Sequence, residues 1–205
     1  MTAKNCTTKI NGKQVTTLIY GVACNSQGKH RAAVNSKNTQ AYATWYNMLK
    51  RCYYQKLHIK QPTYRGCSVS DEWLDFQDFA EWYYSNRYSE LGYHLDKDIL
   101  VPNNKVYKSN ACCFIPQELN SLVLDSAAIR GDLPQGVSRA RSRNRYEAVI
   151  SINGRKKRLG VFGCANEAYL TYIIAKEAYV KDKAVEWKDR IDSRVFDALM
   201  AWTVE

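Results

Sequence analysis

The sequence predicts an α+β protein, and three stretches carry that prediction. From Tyr146 to Ile152, the residues Tyr146, Ala148, Ile150 and Ile152 alternate with Glu147, Val149 and Ser151, the period of a strand with one buried face. Asn153-Gly154 suits the positive φ of a tight hairpin turn, so Arg155 to Phe162 returns antiparallel. After Gly163 the period turns helical: Ala165, Ala168, Tyr172, Ala175 and Tyr179 share a stripe, with Tyr169, Ile173 and Val180 beside it. Earlier in the chain, Tyr42, Trp45, Leu49 and Cys52, then Trp73, Phe76, Ala80 and Tyr83, mark two further helices with aromatic core faces.

Small alanines let a helix lie close on a sheet, so residues 135–180 are expected to form an antiparallel sheet of two or three strands with one helix across one face. The other face carries the chemistry. Residues 136–165 hold eight Arg or Lys and one acid, and Arg139, Arg141, Arg143 and Arg145 recur at every second position. In an extended segment those four guanidinium groups point the same way, a comb suited to phosphates or to the acceptor edge of guanine. The alternative is a solvated basic edge that discourages aggregation.

Charge supports a polyanionic partner. The net charge is +10, yet residues 1–70 carry eleven Lys or Arg and no acid, residues 136–165 a net +7, and the rest −8 (10 − 11 − 7). No apolar run approaches the roughly 20 residues of a membrane span, so a soluble, intracellular protein is expected. Seven cysteines without a CxxC pair argue against a secreted disulfide framework. Cys52, Cys67 and Cys112 with a histidine lack the short paired spacing of structural zinc sites, and buried thiols are expected instead.

In chain order, residues 1–38 read as a basic β-ribbon or arm along DNA, with β-like runs at 15–23 and 30–34. A helix over 39–53 follows, then a loop over 54–69 ending in a short strand at 67–69. Ser70 caps the second helix, whose Asp75, Asp78 and Glu81 face solvent. Residues 93–101, a Pro102-Asn103-Asn104 turn, Val106-Tyr107, residues 112–114 and a helix opened by Pro116 give strand, turn, strand, helix. Asp96, Lys97 and Asp98 stand at its start and Asn120 in its helix. A surface charge cluster forming local salt bridges is the alternative for Asp96, Lys97 and Asp98, and His94 reads as structural. Residues 126–134, with Gly131 and Pro134, read as a linker, and residues 181–205 as one long amphipathic helix.

Two resemblances rest on these motifs. Gly136-Val137, Tyr146-Glu147-Ala148 with Ile150, Leu159-Gly160 with Phe162, and Glu167-Ala168 with Tyr172 resemble the ethylene-response-factor (Apetala-type, AP2) DNA-binding domain. That resemblance implies a three-stranded sheet laid in the major groove of double-stranded DNA. Lys156 and Arg158 fall where the family touches DNA, whereas its base-contacting arginines align nearest Ser138 and Ala140, one residue out of phase with the comb. Cys164 replaces the usual Thr cap.

Residues 39–125 resemble the HNH-type, homing-like endonucleases of bacteriophages, through Trp45 with Asn47-Met48-Leu49, Arg51-Cys52-Tyr53, Pro62-Thr63-Tyr64 with Gly66-Cys67, Glu72-Trp73 with Phe76 and Phe79, and the runs 95–100 and 113–120. The fold class so implied is a ββα-metal (HNH-like) module with flanking helices, then the sheet-plus-helix DNA-binding domain and a C-terminal helix. It also implies a metal-dependent DNA endonuclease in the cytoplasm of a phage-infected bacterium. Mg²⁺ or Mn²⁺ would be held by Asp96 and Asn120, and the bracing Asn falls at Ala111, with Asn110 one residue away. Lys97 stands where the family places its general-base His. A lysine is a poor base beside two carboxylates, so the site either works through an altered base or is a nuclease scaffold that only binds DNA.

Overall fold

The computed structural model describes residues 8–10, 13–15, 18–124, 132–142 and 144–204, the first two segments as backbone. It is a mixed α+β chain that divides into two compact units, Met1–Ile115 and Pro116–Glu205. The sequence places a linker at 126–134, of which residues 126–131 lie outside the described residues.

The first unit opens with two hairpins, β1 (Thr8–Ile10) with β2 (Lys13–Val15) and β3 (Ala33–Val34) with β4 (Lys37–Asn38). Asn35 and Ser36 both take positive φ, which turns β3 into β4 in two residues. Helix α1 (Gln40–Tyr53) follows, with the Thr39 hydroxyl accepting from the Tyr42 amide and Lys50 and Arg51 in its last turn. Where a loop is expected, α2 (Gln55–Lys60) and a 3-10 turn over Pro62–Tyr64 form. Extended Tyr54 ends α1, and the good helix formers Gln55, Lys56 and Leu57 begin a new turn.

Strand β5 (Ser68–Val69) leads into a 3-10 turn at Asp71–Leu74 and then α3 (Phe76–Ser85). Ser70 caps no helix here: the Asp75 carboxylate does, accepting from the amides of Gln77 at 3.1 Å and Ser26 at 3.2 Å. The second contact reflects a further difference from expectation, because residues 18–31 do not extend as an arm. Phe76 donates to Cys24, His30 donates to the Gln77 side chain, and Lys29 and His30 pair with Glu81. Glu81, read as a solvated acid, is a docking point for the basic N-terminal segment.

The aromatic stripes form the core as expected. Trp45, Trp73, Phe76, Phe79, Tyr83 and Phe114 are each at most 1% exposed, and the Trp45 indole donates to the Trp73 carbonyl at 2.7 Å. Strand β6 (His94–Asp96), β7 (Val106–Tyr107) and β8 (Cys113–Ile115) complete the unit. β6 pairs antiparallel with β8, and β5 pairs parallel with β7.

The second unit begins with α4 (Gln117–Val123). Its sheet has the order β11-β10-β9, from β9 (Val137–Arg139), β10 (Tyr146–Ile152) and β11 (Arg155–Phe162). Asn153 and Gly154 turn at φ 49° and 75°, as their types require. Helix α5 (Ala165–Trp187) buries Ala168 and Tyr172, and the Tyr179 hydroxyl receives the Asn153 amide at 3.0 Å. The expected tail helix is divided: α5 runs on through residues 181–183, a 3-10 turn covers Lys188–Arg190, and α6 (Ser193–Ala201) starts anew. Asp192 sets that break by capping α6 through the Arg194 amide at 2.9 Å. Buried Lys183 ties α5 to α4 through Glu118 at 2.7 Å and also meets Glu186 at 2.8 Å. Among the described residues no helix is long and apolar enough to cross a membrane.

Candidate nucleic-acid interface

Two places in the molecule bear on function. In the first unit, β6 and β8 lie in the register His94↔Ile115, Leu95↔Phe114 and Asp96↔Cys113, so Asp96 ends its strand. Its Oδ1 accepts from the amides of Asp98 at 2.8 Å and Ile99 at 2.7 Å, which turns the chain away from the strand. Burial pushes the Asp96 carboxyl above the ordinary range, although these two amides pull the other way.

Lys97 is 5% exposed, whereas Asp98 beside it is half exposed. The Lys97 ammonium donates to both Asp98 oxygens, at 2.5 and 2.7 Å, and to the Asn104 carbonyl at 2.6 Å. Asn104 returns the contact: its amide nitrogen donates to the carbonyls of Lys97 and Val106, and its side-chain oxygen accepts from the Val106 amide. Ala111, where the resemblance puts the bracing Asn, is buried, while Asn104 ties the chain just after β6 to β7. The signal for it was the Pro102-Asn103-Asn104 turn, which marked a loop without saying whose backbone it would bind.

Arg51 is a second residue that the motif reading left without a role. Burial works against its charge, but Tyr107, Tyr64 and Asp96 outweigh that and raise its pKa. Its guanidinium lies 5.8 Å from the Tyr64 ring centre. His94 is exposed, and Asn120 belongs to α4 in the second unit. Among the described residues no three of His, Cys, Asp and Glu gather as a metal ion requires. Cys52, Cys67 and Cys112 are buried free thiols, and burial pushes Cys52 and Cys112 up to about 12. Cys24 departs from the expected free thiols: it is disulfide-bonded.

In the second unit, register decides which side chains share a face, because directly opposed residues of an antiparallel pair project together. Buried Ala148 and Ile150 define the face under α5, and Tyr146, opposite Phe162, belongs with them. Arg139 is opposite Tyr146 and so falls on that same side, its guanidinium 6.0 Å from the Tyr146 ring centre. The bare face holds Ser138, Glu147, Val149, Ser151, Lys156, Arg158 and Val161. A β-bulge between Ala148 and Val149 sets this phase by putting Val149 opposite Arg158 and Ser151 opposite Lys156.

Among the described residues, Arg139, Arg141 and Arg145 do not share one strand face as the comb requires. β9 ends at Arg139, the Ala140 amide donates to the Arg145 carbonyl at 2.9 Å, and Asn144 turns at φ 57°. Arg141 and Arg145 are thus exposed on a hairpin connection, and Arg143 lies outside the described residues. Asn tolerates the left-handed region, so the turn interrupts what a period-two count takes for one strand. Lys156 and Arg158, by contrast, are exposed side by side on the bare face, and Arg158 is steadied by Glu147 at 3.4 Å.

The fold and these surfaces define an α+β protein with a one-sided antiparallel sheet and a braced ββ ribbon. The chain matches no protein-family model, no curated protein and no solved structure.

Proposed function

We propose that this chain binds double-stranded DNA through the bare face of β9, β10 and β11, and that its β6–β8 ribbon is a nuclease-like scaffold that binds without cutting. One observation carries the reading: α5 packs on one side of the sheet, while Lys156 and Arg158 on the other side are exposed. A twisted, one-sided sheet has the width to enter a major groove, and two cations two residues apart on one strand meet successive phosphates or base edges. Arg141 and Arg145 on the hairpin connection would reach the flanking backbone. The likeness of the 136–172 motifs to AP2 domains supports duplex DNA as the polymer.

The absence of cutting rests on Lys97. Its ammonium is spent on Asp98 and Asn104 inside the fold, where it cannot take a proton from water. Within the first unit, a Mg²⁺ or Mn²⁺ ion would find both Asp98 oxygens bound to that ammonium and one Asp96 oxygen bound to two amides. This donor set does not fit a divalent cation.

Fluorescence anisotropy with a labelled mixed-sequence duplex tests the binding. Lys156→Ala and Arg158→Ala should each weaken it about fivefold, on the order of 1 kcal/mol, while Arg139→Ala changes little. Equal losses at Arg139 and Arg158 would put the DNA on another surface. Plasmid incubated with the protein and Mg²⁺ or Mn²⁺ should stay intact; nicking that disappears in Asp96→Ala would restore the endonuclease reading.

A further inference from the structure

A cluster of tyrosines in the first unit has no part in the sheet interface. Tyr20 lies against Tyr46 and Tyr54, with ring centres 5.6 and 6.0 Å away, and its hydroxyl donates to that of Tyr46 at 3.2 Å. Tyr42 stacks on Tyr46 at 6.3 Å and 28°. Tyr46 and Tyr54 are 38% and 36% exposed, so part of each ring meets water. The cluster rests on the core: Tyr42 packs edge-on against buried Phe76 at 5.1 Å and beside Trp45 at 5.6 Å. Lys50, one turn after Tyr46 on α1, holds its ammonium 5.9 Å from the Tyr54 ring centre.

We infer that Tyr20, Tyr42, Tyr46 and Tyr54 with Lys50 form a platform for single-stranded nucleic acid, whose bases stack on the exposed rings while Lys50 meets a phosphate. Rings held in place by the core and flanked by a cation combine the two requirements of sequence-tolerant single-strand binding. Charge selects this occupant over an apolar protein segment. Tyr20, Tyr42, Tyr46, Tyr54 and Lys50 all come from the first 70 residues, which contain eleven Lys or Arg and no acid, and Lys50 sets a cation at the rings themselves. The inference stands apart from duplex binding by the sheet: it uses different residues, in a different unit, and a different form of the polymer.

The test is anisotropy of a labelled 12-nucleotide oligothymidylate, which stays single-stranded. The double variant Tyr46→Ala/Tyr54→Ala should lose roughly tenfold or more in affinity, the magnitude expected for removing stacked bases. Tyr46→Phe/Tyr54→Phe should bind within about twofold of wild type, because it keeps the ring faces. Should the alanine variant fold poorly, Tyr46→Leu/Tyr54→Leu keeps the bulk, removes the π faces and should show the same loss. Lys156→Ala/Arg158→Ala should leave oligothymidylate affinity unchanged, whatever it does to duplex binding. Undiminished affinity in a folded leucine or alanine variant overturns the inference. So does a loss in the phenylalanine variant equal to that in alanine, or loss of single-strand binding in the sheet variant alone.

Discussion

Gly136→Ala is expected to destabilise the second unit by about 3 kcal/mol, from two effects that add. Gly136 takes φ +72°, a region where an L side chain is strained by roughly 1–2 kcal/mol. An added Cβ would also lie 2.0 Å from Tyr172 Cδ2 and 2.4 Å from Cγ and Cε2, far inside contact distance. Neither partner can easily give way. Tyr172 is 4% exposed between α5 and the sheet, and the Gly136 carbonyl accepts from the Val149 amide at 2.8 Å, which anchors the start of β9. Urea unfolding followed by circular dichroism measures the loss. A change below about 1 kcal/mol would mean that Tyr172 can leave its seat on the sheet.

The second large effect belongs to Lys97→Met, expected to cost about 2 kcal/mol and to lower the melting midpoint by roughly 4–8 °C. Methionine keeps the apolar stem of lysine as far as its fourth side-chain atom, while the charged contacts go, including that of the ammonium with the Tyr107 ring 6.0 Å away. The Asn104 carbonyl then loses its donor within the fold, and the Asp98 carboxylate loses its partner. Asp98 is half exposed and rehydrates, which keeps the cost below that of stranding a fully buried charge. Lys97→His should be destabilised too and still leave plasmid uncut, since the imidazole would replace a brace rather than restore a base. A stable Lys97→His protein that nicks DNA would instead make the ribbon a disabled enzyme.

Much of the framework was legible because the deciding interactions are local. Asn153-Gly154 announced its hairpin, and the stripes from Tyr42 and Trp73 their core faces, since each depends on residues a few positions apart. Where turn chemistry competed with periodicity, the count misled. Arg139 to Arg145 alternates like a strand, yet Asn144 in the left-handed region makes a hairpin connection and leaves the bare face to Lys156 and Arg158. Asp75 displaced Ser70 as a cap because it also binds the distant Ser26 amide, and Asp192 cut the tail helix where apolar spacing ran on. The docking of residues 18–31 on α3 and the burial of Lys97 are long-range outcomes that no local pattern encodes. Lys97 illustrates the difficulty: the motif order drew attention to it as a missing base, and the contacts of its ammonium make it a brace.

The central claim is that duplex DNA lies on the bare face of the three-stranded sheet. Its most direct measurement is the salt dependence of duplex affinity for wild type and for Lys156→Ala/Arg158→Ala. Each phosphate neutralised contributes about 0.9 to the slope of log affinity against log salt. If both residues hold phosphates, the double variant should bind more weakly, with a slope shallower by about 1.8. Identical affinity and slope in the two proteins would contradict the account.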